Sequence, residues 1–143
     1  MKAETSRFGP IEIDENKILS FKKGILGFPE DKRYALLPHK DDSPFFWLQS
    51  LDSPELAFVV INPALIVKDY SFEIPSEMEK ELDLKDPSQA EVLVLVTIRQ
   101  GNGDKPLSLT ANLLGPLVIN VENRRACQAV LDPKKYPVRY EFS

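Results

Sequence analysis

The one histidine of the chain, His39, lies in "PHKDDSP", with Asp41 and Asp42 two and three residues further on. An imidazole beside carboxylates is the material of an acid–base pair, of a hydrolytic site, or of one side of a metal site. A stable metal site takes three or four ligands at defined spacing, and the neighbouring residues supply no such set. A polar loop between two strands accounts for the same residues. Cys127, the one cysteine, lies in "RRACQAV", where Arg124 or Arg125 could favour a thiolate. A small buried apolar residue is the simpler reading of the same thiol. No serine stands in a nucleophile-elbow context. The residue types therefore predict no catalytic residue, no metal and no cofactor.

Two other stretches suggest binding rather than catalysis. "GILGF" places Gly24 and Gly27 three apart. Phosphate-cradling loops carry more glycine and run into a helix, whereas here Phe28-Pro29 follows. The loop either buries Ile25, Leu26 and Phe28 or offers them as an apolar grip for a partner. In "HKDDSPFFWLQSLDSPE", the acids Asp41, Asp42, Asp52 and Glu55 bracket Phe45, Phe46 and Trp47. An aromatic strand with acidic loops at both ends could receive a basic amphipathic helix. Equally, the aromatics could be core and the acids only solubilise the loops. The candidate partner-binding residues are Phe28, Phe45, Phe46, Asp41, Asp42, Asp52 and Glu55.

The elements that must position these residues read as strands. The 143 residues are enough for one domain, 1–143, and 43% are hydrophobic, which supports a real core. Twelve prolines interrupt any long helix. "RYALLP", "FFWLQSL", "ELAFVVIN", "AEVLVLVTIRQ" and "PLSLTANL" are short, aromatic or β-branched, and bounded by turn residues. "GNGD" is a hairpin signal between the last two. The helix candidate is Ser76 to Leu82, with Ser76 and Glu79 spaced as a capping box. The expected fold is mainly β: a single antiparallel, barrel-like domain with one or two short helices. "TANLLGPLVIN" reads as two neighbouring strands turning at Gly115-Pro116, with Asn112 bonded to the turn backbone. A ligand loop is the other reading.

Charge and composition narrow the partners. There are 22 acidic against 18 basic residues, a formal charge of −4. Non-specific nucleic-acid binding needs a basic surface, so no direct nucleic-acid binding is expected, and a basic protein partner is. "MKAETSRFGP" has no signal core, and "AFVVINPALIV" is broken by Asn62-Pro63. With one cysteine and no internal disulfide, the expectation is a cytoplasmic protein without membrane contact. A small-molecule-binding β-barrel is the alternative; it would need Gln49, Thr110 and Asn112 to converge on a cavity.

Several segments in order, "FKKGILGFPEDKRYALLP", "PFFWLQSLDSPELAFVVINP", "VLVLVTI", "LTANLLGPLVIN", "RACQAVL" and "YPVRY", resemble the flagellar assembly factor FliW family nearly end to end. The single pieces are weak signals, but their ordered set is specific. The resemblance implies a small cytoplasmic β-rich protein without catalytic activity. It implies two partners: CsrA, a dimeric RNA-binding translational repressor of flagellin mRNA, and flagellin itself. On this reading flagellin titrates the protein away from CsrA, coupling flagellin synthesis to assembly.

Overall fold

Turn-bounded apolar runs of four to ten residues can hydrogen-bond only by pairing with one another, and here they pair into a closed sheet. The computed structural model describes residues 1–99, 103 and 107–142. β1 (Lys2–Thr5) and β2 (Gly9–Glu12) form a separate antiparallel hairpin. β3 (Leu19–Phe21), β4 (Arg33–Pro38), β5 (Phe46–Ser50), β6 (Ala57–Ile61) and β7 (Ala90–Arg99) then follow as an antiparallel meander. β8 (Ser108–Ala111) and β9 (Leu117–Asn120) both pair with β7. β10 (Arg125–Gln128) pairs with β9 on one side and β3 on the other, closing the ring. β11 (Tyr140–Phe142) extends the sheet beyond β8.

The barrel strands are β3, β4, β5, β6, β7, β9 and β10. An odd number of strands cannot alternate direction all the way round, so one seam must be parallel. That seam is β10–β3, held by only two register pairs, Arg125↔Ser20 and Ala126↔Phe21. The antiparallel barrel expected from the sequence is therefore antiparallel at every seam but this one.

Period-two alternation decides which side chains fill the barrel. Leu19, Phe21, Tyr34, Leu48, Leu93 and Leu117 belong to the interior cluster and are at most 2% exposed. The opposite face of β7 buries Val94 and Val96 in a second, outer cluster with Ile61 and Ala111. Burial on both faces explains the nearly continuous apolar run of β7. The helix α1 (Ser76–Leu82) covers a third cluster, Leu82 with Val118 and Cys127. Among the described residues no helix is long and apolar enough to cross a membrane.

Two local expectations change. The helix has the expected span, but Ser76 is its first residue, Pro75 is the N-cap, and no side chain caps that end. The capping box forms instead in the 3-10 turn Pro87–Gln89, between Asp86 and Gln89. β8 and β9 do not form a hairpin. Both run along β7, with Ala111 opposite Val96 and Leu117 opposite Leu93. Residues 112–116 thus bulge out against only two residues of β7. The "GNGD" turn expected at 101–104 falls, except for Gly103, outside the described residues.

Candidate functional site

The registers place the distinctive loops at one end of the barrel. β4 starts, β5 ends and β6 starts at the same level, since Tyr34 pairs with Ser50 and Gln49 with Ala57. β3 and β10 end there too, with Gln128 facing Leu117. Residues 22–32, 51–56 and 112–116 therefore share this end with the chain just after β10.

The side chain of Gln128, the last residue of β10, ties two of these segments together. Its Oε1 accepts from the Leu26 N–H at 2.8 Å, and its Nε2 donates to the Gly115 carbonyl at 2.9 Å. Asn112 Oδ1 accepts from the N–H groups of Leu114 and Gly115, the role the sequence suggested for it. Gly115 has no positive φ; a Cβ there would lie 2.7 Å from Gln128 Nε2 and would push that amide tip out of its bonds. The chain after β10 is zipped to the bulge by Ala129 N–H to Pro116 O and Leu131 N–H to Leu114 O.

"GILGF" is a tight turn closed by Phe28 N–H to Ile25 O at 2.7 Å, with Gly27 at φ 91°. Ile25 is buried in the barrel, while Leu26 is left at the apex, 66% exposed. Phe28 is 38% exposed and packs edge-on against Phe58 at 5.3 Å. Val130 is 67% exposed. Ile98, near the end of β7, and Leu107, just before β8, are exposed as well. Of the large exposed hydrophobics among the described residues, Leu26, Phe28 and Val130 thus share this end.

The acids divide between the two ends. Asp52 lies at the loop end, where its carboxylate accepts from the backbone N–H groups of Lys32 and Arg33 and pairs with the Arg33 guanidinium at 3.0 Å. Burial works against its charge, but these bonds outweigh it and hold the carboxyl below the usual range. Asp52 is therefore a structural acid, already neutralised by Arg33. Glu55 is exposed at the same end. Asp41 and Asp42 are exposed in the β4–β5 turn at the opposite end, Asp42 with a φ of 67°. The five residues of β5 separate the two acid pairs by about 17 Å at 3.3–3.4 Å per residue.

Phe45 and Phe46 correct the exposure expected of them as anchors. Both are half-buried. Phe46 packs on the interior cluster and Phe45 on the outer one, near Phe142 at 6.4 Å. The cause is the strand pleat, which turns successive side chains of β5 and its entry to opposite buried faces. Of the three phenylalanines only Phe28 lies on the exposed apolar end. Sequence reasoning missed Val130 and Gln128: the Gln128–Leu26 contact spans 102 residues, and no local pattern announces it.

The residues considered for chemistry have structural partners. His39 Nδ1 faces Ser43 Oγ at 3.2 Å, and its ring lies against Trp47. Cys127 is buried beneath α1, and burial, with Glu81 nearby, pushes its thiol up to about 12 against the opposing pull of Lys23. That is the reverse of an activated thiolate. Among the described residues no three His, Cys, Asp or Glu side chains gather in a way that could hold a metal. Gln49 is buried and its Nε2 donates to the carbonyls of Ser50, Pro54 and Leu56. Thr110 pairs in register between Thr97 and Glu141. With Asn112 in its bulge, these three do not converge on a cavity, and the barrel interior is filled with side chains.

The fold is thus a side-chain-filled seven-stranded barrel with one end built from hydrogen-bonded loops that present apolar side chains. A FliW protein family model matches residues 2–142, and the chain belongs to the FliW family. It is 44% identical over 142 residues to the flagellar assembly factor FliW of Syntrophus aciditrophicus (strain SB), covering 99% of this chain and 87% of that one. To the protein of the same name from Ruminiclostridium cellulolyticum it is 40% identical over 141 residues, covering 98% and 93%. Its fold superposes on a crystal structure of the flagellar assembly factor FliW with a TM-score of 0.85 at 33% identity, covering 98% of this chain and 95% of that one.

Proposed function

We propose that this protein acts in flagellar assembly as a non-enzymatic, cytoplasmic regulator that binds two proteins, flagellin and the translational repressor CsrA. Binding CsrA relieves its repression of flagellin mRNA; binding flagellin removes the protein from CsrA, so unexported flagellin shuts off its own synthesis. Family membership supports this reading, and the observation that carries it is the apolar loop end around Leu26, Phe28 and Val130. Flagellin's terminal segments are amphipathic helices whose apolar faces lack partners before assembly. A rigid apolar turn such as Leu26–Gly27 supplies an anchor whose ordering is complete before binding, so less entropy is lost on association.

The test is a double substitution, Leu26→Ser with Phe28→Ser. Leu26 is exposed at the apex and Phe28 loses its edge contact with Phe58, so the variant should melt below the parent yet remain folded. Flagellin affinity, measured by calorimetry, should fall at least tenfold, the order expected when buried interface anchors are truncated. Unchanged affinity would move flagellin to another face.

For CsrA the reading is electrostatic. RNA affinity rests on phosphate contacts and falls where negative potential is placed near them. Asp41, Asp42 and Glu55 carry unpaired exposed charge among the described residues, whereas Asp52 is spent on Arg33. Changing Asp41, Asp42 and Glu55 to their amides should leave CsrA binding intact while weakening its inhibition of RNA binding. The loss should be largest at low salt, because at physiological ionic strength exposed charges more than about 8 Å apart are largely screened. Equal inhibition at low salt, read by gel shift with a flagellin leader RNA, would favour occlusion of the RNA site.

A further inference from the structure

The parallel seam carries a feature that the apolar end does not explain. Along the outside of β3 and β10, beneath α1, runs a groove of about 670 Å³ lined by Lys22, Lys23, Lys80 and Arg125, with Glu77 and Glu81 on the helix side. A second hollow of about 340 Å³ shares Lys22, Glu81 and Arg125 with it, so the two form one trough along the seam. Four cations against two acids give this trough a positive sign in a chain whose net charge is −4.

These cations are not neutralised from within. The ion pairs among the described residues are Met1 with Glu12 and Arg33 with Asp52, so Lys22, Lys23, Lys80 and Arg125 have no carboxylate within 4 Å among those residues. Gathering like charges around one groove costs free energy unless a counter-charge enters it. Met78 and the buried Cys127 also line the groove. Gln128 lines the same groove while it holds the Leu26 N–H, so one end of the trough opens beside the exposed Leu26 apex.

We propose that this trough is a docking site for an acidic segment of a protein partner, with two or more carboxylates lying against Lys22, Lys23 and Arg125 and an apolar residue beyond them meeting Leu26. The charge complementarity and the continuity through Gln128 select that occupant. The proposal shares Leu26 with the apolar face above but does not depend on which partner binds there.

The test uses the full chain and a fluorescein-labelled peptide of alternating Glu and Leu, followed by fluorescence anisotropy and by amide shifts in two-dimensional NMR. At 50 mM salt the peptide should bind, with shifts concentrated on β3, β10 and α1. Raising salt to 500 mM should weaken binding at least tenfold. The double variant Lys22→Glu with Arg125→Glu, both exposed positions, should weaken it by a similar factor while keeping the parent's circular dichroism. Single Lys22→Gln, a milder change, should weaken it a few-fold. Binding that survives the double reversal, equal binding of a Lys-for-Glu peptide, shifts confined to other strands, or no binding at 50 mM salt would each overturn the proposal. Because Lys22 and Arg125 lie outside the Leu26–Phe28 face, failure here leaves the flagellin reading standing, and failure of the Leu26–Phe28 variant leaves this one.

Discussion

Replacing Gly24 with valine should lower stability by about 3 kcal/mol or more and abolish the ordered "GILGF" turn. Gly24 sits at φ 68°, where a residue with a Cβ is strained by about 1–2 kcal/mol. A Cβ there would also collide with the Phe28 carbonyl oxygen and lie 2.8 Å from Pro29 Cα. Both are backbone atoms, so neither can swing away as a side-chain tip would, and overpacking adds about 1–3 kcal/mol. Against a total stability of about 5–15 kcal/mol for a domain, the loss should appear as a large drop in the urea midpoint. Gly27 is the control. Its φ of 91° is also positive, but a Cβ there meets nothing within 4 Å. Gly27→Ala should therefore cost only the backbone term, about 1–2 kcal/mol. Equal losses at the two glycines would remove the steric account and leave only the dihedral one.

The sequence made the strands and the helix span legible because both rest on local periodicity. The bulge of 112–116 was not legible, because a Gly-Pro pair between apolar runs marks a change of direction without saying whether the next strand pairs with the last one or with a third. Here β7 is long enough, Ala90–Arg99, to take both β8 and β9 end to end on one edge. Asn112 was read correctly because its bonds reach only two and three residues along the chain. The site was less legible for the same reason. Phe28 could be picked out within "GILGF", but Phe45 and Phe46 looked like anchors until the pleat of β5 sent each into a core. The four acids looked like one group because they are close in sequence. A strand between them places two at each end of the barrel, and only register shows that Asp52 faces Arg33.

Asn120 should prove as costly to replace as any polar residue in the chain. It closes the stretch Thr110 to Asn120 and is 1% exposed. Its Nδ2 donates to the carbonyls of Leu82 and Asp83, at 2.9 and 3.3 Å, and its Oδ1 accepts from the N–H groups of Glu122 and Asn123. One amide thus closes the C-terminal end of α1 and the β9–β10 turn together, and it couples the helix to the barrel. Leucine has a similar size, so Asn120→Leu opens little cavity and isolates the polar contribution. Asn123 also donates to the Leu82 carbonyl, so that oxygen keeps a partner. The Asp83 carbonyl and the two turn N–H groups lose theirs; they belong to exposed residues in part-buried bonds, so water recovers some of the loss and each costs about 1 kcal/mol, the low end for unpaired polar groups. We expect a net loss of about 2–4 kcal/mol that does not change between pH 4 and pH 7. Asn120→Asp should behave differently. Its carboxylate would be buried and face two carbonyl oxygens; burial and this repulsion outweigh the two N–H groups at Oδ1 and raise its pKa in the folded protein above the unfolded value of about 3.9. The folded state then holds the proton more tightly, so this variant should be most stable at low pH and lose stability as pH rises from that unfolded value through the raised folded one. Denaturant titrations of both variants across this range decide the matter: parallel pH profiles would mean that Asn120 fills space and does not bridge the helix end to the turn.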